Sequence, residues 1–317
     1  MITEFDITIG NPQYKILFLL LPLIFILHFY FIYHVKRRAL KFGNFSAMQR
    51  VHTNTIISKN LTSLFFVMLL TAALIISLLD ISLWVSGDSA NSDYYILLDS
   101  GASMNARDLY PDRFIVAKQL SSDLVKKIPE SKMGFISFAG TIIKSEDLTD
   151  EKSNILNSIQ DSEIENTGTD IGLAIVSAIQ GFSTTNSSKS IILVSDGHDT
   201  VGIPLKDALV KAKEEHIKII TLGVGTKEGG KFLNVPESEG AISRLDEESL
   251  YTLSKETNSQ YININQDYDL NMIIAKIGED KKSGFIEYEM GEKFLLIALV
   301  LLFFIWLLDN TRFRIFP

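Results

Sequence analysis

Three long apolar segments divide the chain. They cover residues 16–34, 61–85 and 294–308. The first contains no Asp, Glu, Lys or Arg over a length close to the ~20 residues that cross a bilayer core. The second is interrupted only by Asp80 near its end, and the third spans roughly 22 Å as a helix. This pattern predicts three membrane-spanning helices.

The charges around these segments predict their orientation. Residues 36–60 contain six Lys or Arg and no Asp or Glu. Because short loops rich in Lys and Arg stay on the cytoplasmic side, this loop is expected in the cytoplasm. The N-terminus and residues 86–293 are then extracytoplasmic, and the tail after the third helix is cytoplasmic. Acidic residues before the first segment and the lack of a small-residue cleavage site after it disfavour a cleaved signal peptide.

Between the second and third segments the pattern changes to short apolar runs that alternate with amphipathic stretches. Runs at 94–98, 134–138, 190–195 and 217–222 are typical of strands buried on both faces. Strands that alternate with helices predict an α/β fold with a doubly wound, mostly parallel, Rossmann-like sheet. We expect three regions: a membrane region at 1–85, one domain at 86–285, and a linker, helix and tail at 286–317.

Composition limits the chemistry of this domain. The chain has no Cys, which excludes disulfides, thiolate nucleophiles and Cys-bound metals. It has 30 Lys+Arg against 38 Asp+Glu, and this acidic balance argues against nucleic acid as a partner. The mean hydropathy of +0.19 is consistent with membrane helices joined to a soluble domain.

Polar residues follow the predicted strands where open α/β sheets bind ligands. Asp99 follows the first run, Asp196 follows the third, and a turn containing Thr169 opens a helix. Carboxylates and hydroxyls without Cys make an oxygen site that suits a hard cation such as Mg²⁺. Neutral hydroxyl ligands would leave such an ion able to accept a partner's carboxylate. The alternative is that these residues are turn and cap residues, with Thr169 or Asp170 capping a helix, as Asp112 is expected to do.

These turns resemble the metal-ion-dependent adhesion site of the von Willebrand factor type A (vWA) domain. The family signature is Asp-x-Ser-x-Ser, then a Thr turn and a later Asp-Gly. The resemblance implies that Asp99, Ser103, Thr169 and Asp196 bind Mg²⁺, or Mn²⁺ or Ca²⁺. Gly101 stands where the family has its middle Ser, and a water or Ser100 would have to replace that ligand.

The resemblance extends to the Bat aerotolerance membrane proteins, BatA and BatB. It includes the runs 106–118, 222–225 and 245–248, and the order of two spans, a vWA domain and one span. It implies a scaffold facing the cell envelope, with a role in envelope stress or assembly. Implied partners are proteins that offer an acidic side chain, other Bat-type proteins, and an AAA ATPase of the MoxR type.

The leading hypothesis is therefore a membrane-anchored binding protein rather than an enzyme. One alternative is a structural membrane assembly protein whose domain binds no metal. Another is a Mg²⁺-dependent phosphotransferase with Asp99 as the nucleophile. That alternative is disfavoured because Gly101 stands where such enzymes carry a second Asp, and no Lys is obviously placed.

Overall fold

The computed structural model describes residues 5–39, 55–86, 92–128, 131–182, 187–231, 242–265, 268–281 and 284–310. The chain forms two compact units: Val85–Glu287, and Phe5–Trp84 together with the chain from Tyr288 onward. Much of the predicted basic loop 36–60 and the predicted tail beyond residue 310 lie outside the described residues.

The strands are numbered along the chain. They are β1 (Phe5–Ile9), β2 (Ile81–Ser86), β3 (Ser92–Asp99), β4 (Met133–Phe138), β5 (Ile142–Thr149), β6 (Ser188–Ser195), β7 (Lys218–Val224), β8 (Gly230–Lys231), β9 (Ile242–Ser243), β10 (Tyr261–Ile264) and β11 (Phe285–Glu289). The α-helices are Leu20–Ala39, Thr55–Leu78, Arg113–Lys127, Lys152–Gln160, Ile171–Gly181, Leu205–Glu214, Glu247–Glu256, Leu270–Lys281 and Gly291–Asn310.

Three helical segments are long and apolar enough to span a membrane: Pro12–Phe31, Leu61–Leu78 and Gly291–Leu308. The chain is thus a membrane protein. The predicted end of the second span at residue 85 was wrong, because the helix stops at Leu78 and the apolar residues that follow form β2. Asp80, in a left-handed turn with φ of 51°, separates the two elements. The third helix extends beyond the predicted 294–308, and its 18-residue span reaches about 27 Å.

A small sheet lies where the apolar helices begin and end. β1, β2 and β11 pair in the order β1-β2-β11. The Gly10 amide donates to the Asp80 carbonyl over 3.0 Å, and a Cβ atom on Gly291 would lie 3.3 Å from Asp80 Oδ1. The starts of the first and third helices therefore lie beside the end of the second. The linker predicted from residue 286 was wrong, since those residues continue β11 and lead directly into a helix.

The larger unit contains a six-stranded sheet in the order β10-β7-β6-β3-β4-β5. All neighbouring pairs are parallel except β4 with β5. The predicted α/β fold with a mostly parallel sheet is confirmed, and each of the four predicted strands is present.

Helices cover both faces of this sheet because successive β3 side chains point to opposite sides. Tyr94, Ile96 and Leu98 belong to one apolar core, and Tyr95 and Leu97 belong to the other. The first core is covered by the helices Arg113–Lys127, Lys152–Gln160 and Leu270–Lys281. The second is covered by Ile171–Gly181, Leu205–Glu214 and Glu247–Glu256.

The edge strands β5 and β10 were not predicted. β5 carries Lys144, Glu146 and Asp147 and is only partly buried, so it lacks the continuous apolar run of an inner strand. Its pairing with β4 shifts register at two places, between Met133 and Phe135 and between Ser137 and Phe138. This edge of the sheet is consequently irregular and charged.

Candidate metal centre

The two aspartates of the predicted site lie on neighbouring strands. β3 and β6 are parallel, with Leu98 opposite Val194. Asp99 is the last residue of β3, and Asp196 follows the end of β6. This register brings both carboxylates to the carboxyl edge of the sheet, and neither residue has solvent-exposed surface.

Hydrogen bonds fix the Asp99 carboxylate. Its Oδ1 accepts from the Gly101 amide over 2.8 Å, and its Oδ2 accepts from the Ser195 hydroxyl over 2.6 Å. Complete burial, and after it the nearby charge of Asp196, raise the pKa of Asp99 to about 8. Sequence reasoning missed Ser195, although its place at the end of β6 beside Asp99 follows from the strand order.

The two predicted hydroxyl ligands come from separate turns. Ser103 lies in the short 3₁₀ helix Ala102–Asn105, and its Oγ is buried with no hydrogen-bond partner in the part of the chain that the structure describes. Thr169 is buried, and its backbone is held by Thr200, whose hydroxyl accepts from the Thr169 amide and whose amide donates to the Thr169 carbonyl. A buried unpartnered hydroxyl is costly, and a ligand would relieve that cost.

Gly101 and Ser100 lie between these groups. A Cβ atom on Gly101 would fall 2.3 Å from Thr169 Oγ1 and 3.1 Å from Asp99 Oδ1, so the Thr169 hydroxyl fills the space of a side chain at position 101. The Ser100 hydroxyl is buried and hydrogen-bonds to Ser137 over 2.7 Å. The Ser100 hydroxyl is therefore already engaged by Ser137.

A buried arginine contacts the second aspartate. Arg113 Nη1 lies 2.8 Å from Asp196 Oδ2, and both side chains are fully buried. The same guanidinium donates to both oxygens of Asp108 at 2.7 Å and to the hydroxyl and carbonyl of Ser243. Asp108 also accepts from the amide and hydroxyl of Thr226. Partial burial raises the pKa of Asp108, but the hydrogen bonds and charge of Arg113, together with the bonds from Thr226, hold it below its usual value.

Sequence reasoning did not assign Arg113 to the site. The signal was present, because Arg113 occupies the same helix face as Ala117, Leu120 and Leu124, which are all fully buried. A charged residue on an apolar helix stripe requires a buried partner.

The structure also shows which side chains cap the helices that begin at Arg113 and Ile171. Asp112 accepts from the Ile115 amide at 2.8 Å, which confirms the predicted cap. Of Thr169 and Asp170, it is Asp170 that caps the following helix, through the Leu173 amide at 2.7 Å. The capping alternative therefore applies to Asp170 and not to Thr169.

The architecture and this arrangement of turns can be compared with known proteins. Residues 94–198 match the family model of the von Willebrand factor type A domain. An aerotolerance-related membrane protein from Bacteroides fragilis NCTC 9343 is 27% identical, with a TM-score of 0.54, over 59% of this chain and 99% of that chain. BatB from Bacteroides thetaiotaomicron is 27% identical, with a TM-score of 0.55, over 61% of this chain and 100% of that chain. No curated protein matches the chain. The expected resemblance to vWA domains and Bat proteins is confirmed.

The four candidate ligands, Asp99, Ser103, Thr169 and Asp196, offer oxygen donors only. No group of three or more His, Cys, Asp and Glu that could hold a metal occurs among the residues that the structure describes. A site built on Asp99 and Asp196 would therefore depend on hydroxyls, and Ser103 provides a buried one without a partner. This donor set fits a hard divalent cation.

Proposed function

We propose that this chain is a membrane-anchored vWA protein that binds a protein partner through a divalent cation. Asp99, Ser103, Thr169 and Asp196 would hold the ion, which would be Mg²⁺ or, in its place, Mn²⁺ or Ca²⁺. The ion would supply a positive centre for an acidic side chain of the partner. In this role the domain binds and does not catalyse.

The observation that carries this proposal is the Ser103 hydroxyl, which has no hydrogen-bond partner among the described residues. It is buried near the turn that begins with Asp99, a carboxylate that makes no ion pair within the described part of the chain. A bound cation would satisfy both groups at once. Water excluded at the contact would strengthen the bond to a partner's carboxylate compared with an exposed ion pair.

The same proposal places the domain at 86–285 outside the cytoplasm and the chain in the membrane three times. Gly10 and Gly291 both lie beside Asp80, and this supports the topology. If the three helices cross the membrane in alternating directions, the start of the first, the end of the second and the start of the third lie on the same side. By likeness to Bat proteins, we propose a role in envelope stress or assembly alongside other Bat-type proteins and a MoxR-type ATPase.

Two alternatives receive less support. A metal-independent assembly protein would leave the buried Ser103 hydroxyl without a hydrogen-bond partner among the described residues. A phosphotransferase of the kind considered above would carry a second Asp two residues after the nucleophile, where this chain has Gly101. We therefore propose binding without turnover.

Ion binding can be measured on the full chain in nanodiscs by the electron paramagnetic resonance signal of free Mn²⁺, with Mg²⁺ and Ca²⁺ as competitors. We expect saturable binding of one Mn²⁺ that Asp99→Ala abolishes. Asp123→Ala, which removes a carboxylate on the helix Arg113–Lys127, is the matched control and should bind as the parent does. Equal binding by Asp99→Ala and the parent would refute the site. Partner capture from envelope extracts, with and without chelator, then tests whether the ion mediates recognition.

The topology has a separate test, because the chain has no native Cys. A membrane-impermeant maleimide should label Asp88→Cys in intact cells and should label Ser46→Cys only after lysis. The opposite pattern would reverse the proposed orientation.

A further inference from the structure

The charges around the candidate site do not balance by themselves. The Arg113 guanidinium contacts Asp108 and Asp196, so one positive charge serves two carboxylates. Asp99 adds a third carboxyl group at the same edge of the sheet, and within the described residues no ion pair includes it. One positive charge therefore faces three carboxyl groups.

Arg113 is fully committed to this cluster. Its five N–H donors bond to Asp108 Oδ1 and Oδ2, to Asp196 Oδ2, and to the Ser243 hydroxyl and carbonyl. The Arg113 side chain has no exposed surface. Asp196 consequently has a positive partner whether or not an external ion is present.

An external cation at the site would share Asp196 with this guanidinium. Asp196 Oδ2 already accepts from Arg113, and Oδ1 accepts a longer bond of 3.3 Å from the His198 amide. An incoming ion would draw on the same carboxylate and would be repelled by the fixed charge beside it. Arg113 should therefore stabilise the domain without an ion and weaken its hold on an ion.

We propose that Arg113 is an internal cation of the vWA site, which holds Asp196 when no external ion is bound and competes with that ion when it arrives. This inference rests on the proposed ion site. Arg113 acts through Asp196 and is a positioning residue rather than a ligand. On this proposal the domain folds without the ion, and the ion serves to recruit a partner rather than to stabilise the fold.

The proposal predicts that one variant binds Mn²⁺ more tightly than the parent but is less stable when no ion is present. Arg113→Gln/Asp108→Asn removes one positive and one negative charge and keeps the net charge of the chain. In nanodiscs, we expect its Kd for Mn²⁺ to fall about tenfold, since the competing charge is gone. In chelator, hydrogen exchange of the β6 amides should quicken about tenfold, and saturating Mn²⁺ should restore their protection.

The control removes another largely buried ion pair, Lys189 with Glu287, whose lysine lies near the opposite end of β6. Lys189→Gln/Glu287→Gln should also lose protection but should leave the Mn²⁺ Kd unchanged. Arg113→Lys keeps the charge and should keep the Kd within about threefold of the parent. A residue with a purely structural role would lower protection without tightening Mn²⁺ binding.

The outcomes separate the two proposals. If the parent binds Mn²⁺ and the folded double variant binds it equally or more weakly, the role of Arg113 is refuted and the ion site stands. If neither protein binds Mn²⁺, both proposals fail. If the double variant does not fold, Asp108→Asn decides, because it leaves the Arg113 charge to Asp196 alone. Weaker Mn²⁺ binding than the parent supports the internal cation, and equal or tighter binding refutes it.

Discussion

The hydroxyl of Thr169 occupies the space that a side chain at position 101 would need, because a Cβ atom on Gly101 would lie 2.3 Å from Thr169 Oγ1. The backbone of Gly101 is extended, with φ of −68° and ψ of 163°, so any residue could adopt it. The restriction at this position is steric. Gly101 stands where the vWA signature has its middle Ser, and its lack of a side chain leaves the space that the Thr169 hydroxyl fills.

Restoring the family's serine with Gly101→Ser should harm the protein. The added side chain must displace Thr169, and overpacking of this kind costs about 1–3 kcal/mol. We expect a lower free energy of unfolding and no gain in Mn²⁺ affinity. Thr169→Ala in the same chain should recover part of the lost stability, which a double-mutant cycle would measure. A tighter Mn²⁺ site in Gly101→Ser would show that Thr169 moves aside at little cost.

The stability of the ion-free chain should depend on the protonation of Asp99. Burial raises the pKa of Asp99 from 3.8 to about 8, so between these values the folded state keeps a proton that the unfolded state releases. This contribution is fully present below about pH 4 and is lost as the pH rises towards 8, with a slope of at most about 1.4 kcal/mol per pH unit. Denaturant unfolding in chelator should show a flatter profile for Asp99→Asn. Parallel profiles would contradict the shift.

Removing the Ser103 hydroxyl should have opposite consequences with and without an ion. Without an ion, Ser103→Ala deletes a buried hydroxyl that has no partner in the described part of the chain. Stability should therefore stay within about 0.5 kcal/mol of the parent or rise slightly. With Mn²⁺, the same variant should bind more weakly and gain less stability than the parent. Ser121→Ala is the control and should leave Mn²⁺ binding unchanged. It removes a buried hydroxyl on a different helix that likewise has no partner within the described ranges. Equal Mn²⁺ responses in both variants would argue against Ser103 as a ligand.

The two helix caps should differ in their importance. Asp112 accepts one amide, whereas the buried Asp170 accepts from Leu173 and also from Ile203. Asp112→Ala should cost about 1 kcal/mol, and Asp170→Ala more, because it leaves two amides without their partner. Denaturant midpoints of the two variants would check the order, and equal losses would contradict it.

The sequence was sufficient for the central architecture because inner parallel strands are apolar on both faces. The runs before Asp99 and Asp196 stand out for this reason. The edge strand β5 has only one packed face and a polar sequence, so it gave no such run. The end of the second apolar helix was misplaced because β2 is as apolar as the helix before it, and only the turn at Asp80 separates them.

The four proposed ligands could be selected from sequence because Asp99 and Asp196 follow apolar strand runs and because all four positions match the vWA signature. Their second partners could not be selected, since they depend on packing between distant segments. Arg113 reaches Asp196 across 83 residues and Ser243 across 130. The filling of the space beside Gly101 by Thr169 is likewise a matter of side-chain placement, which motif spacing does not encode.

The edge strand β5 affects how copies of this protein can contact one another in a membrane. Unpaired strand edges invite neighbouring molecules to add their own strands, and membrane anchoring concentrates copies of a protein in two dimensions. In this chain, β5 presents Lys144, Glu146 and Asp147 on a strand whose register breaks twice. Two copies that meet along β5 would face charged side chains and an irregular strand, which disfavours pairing of their sheets.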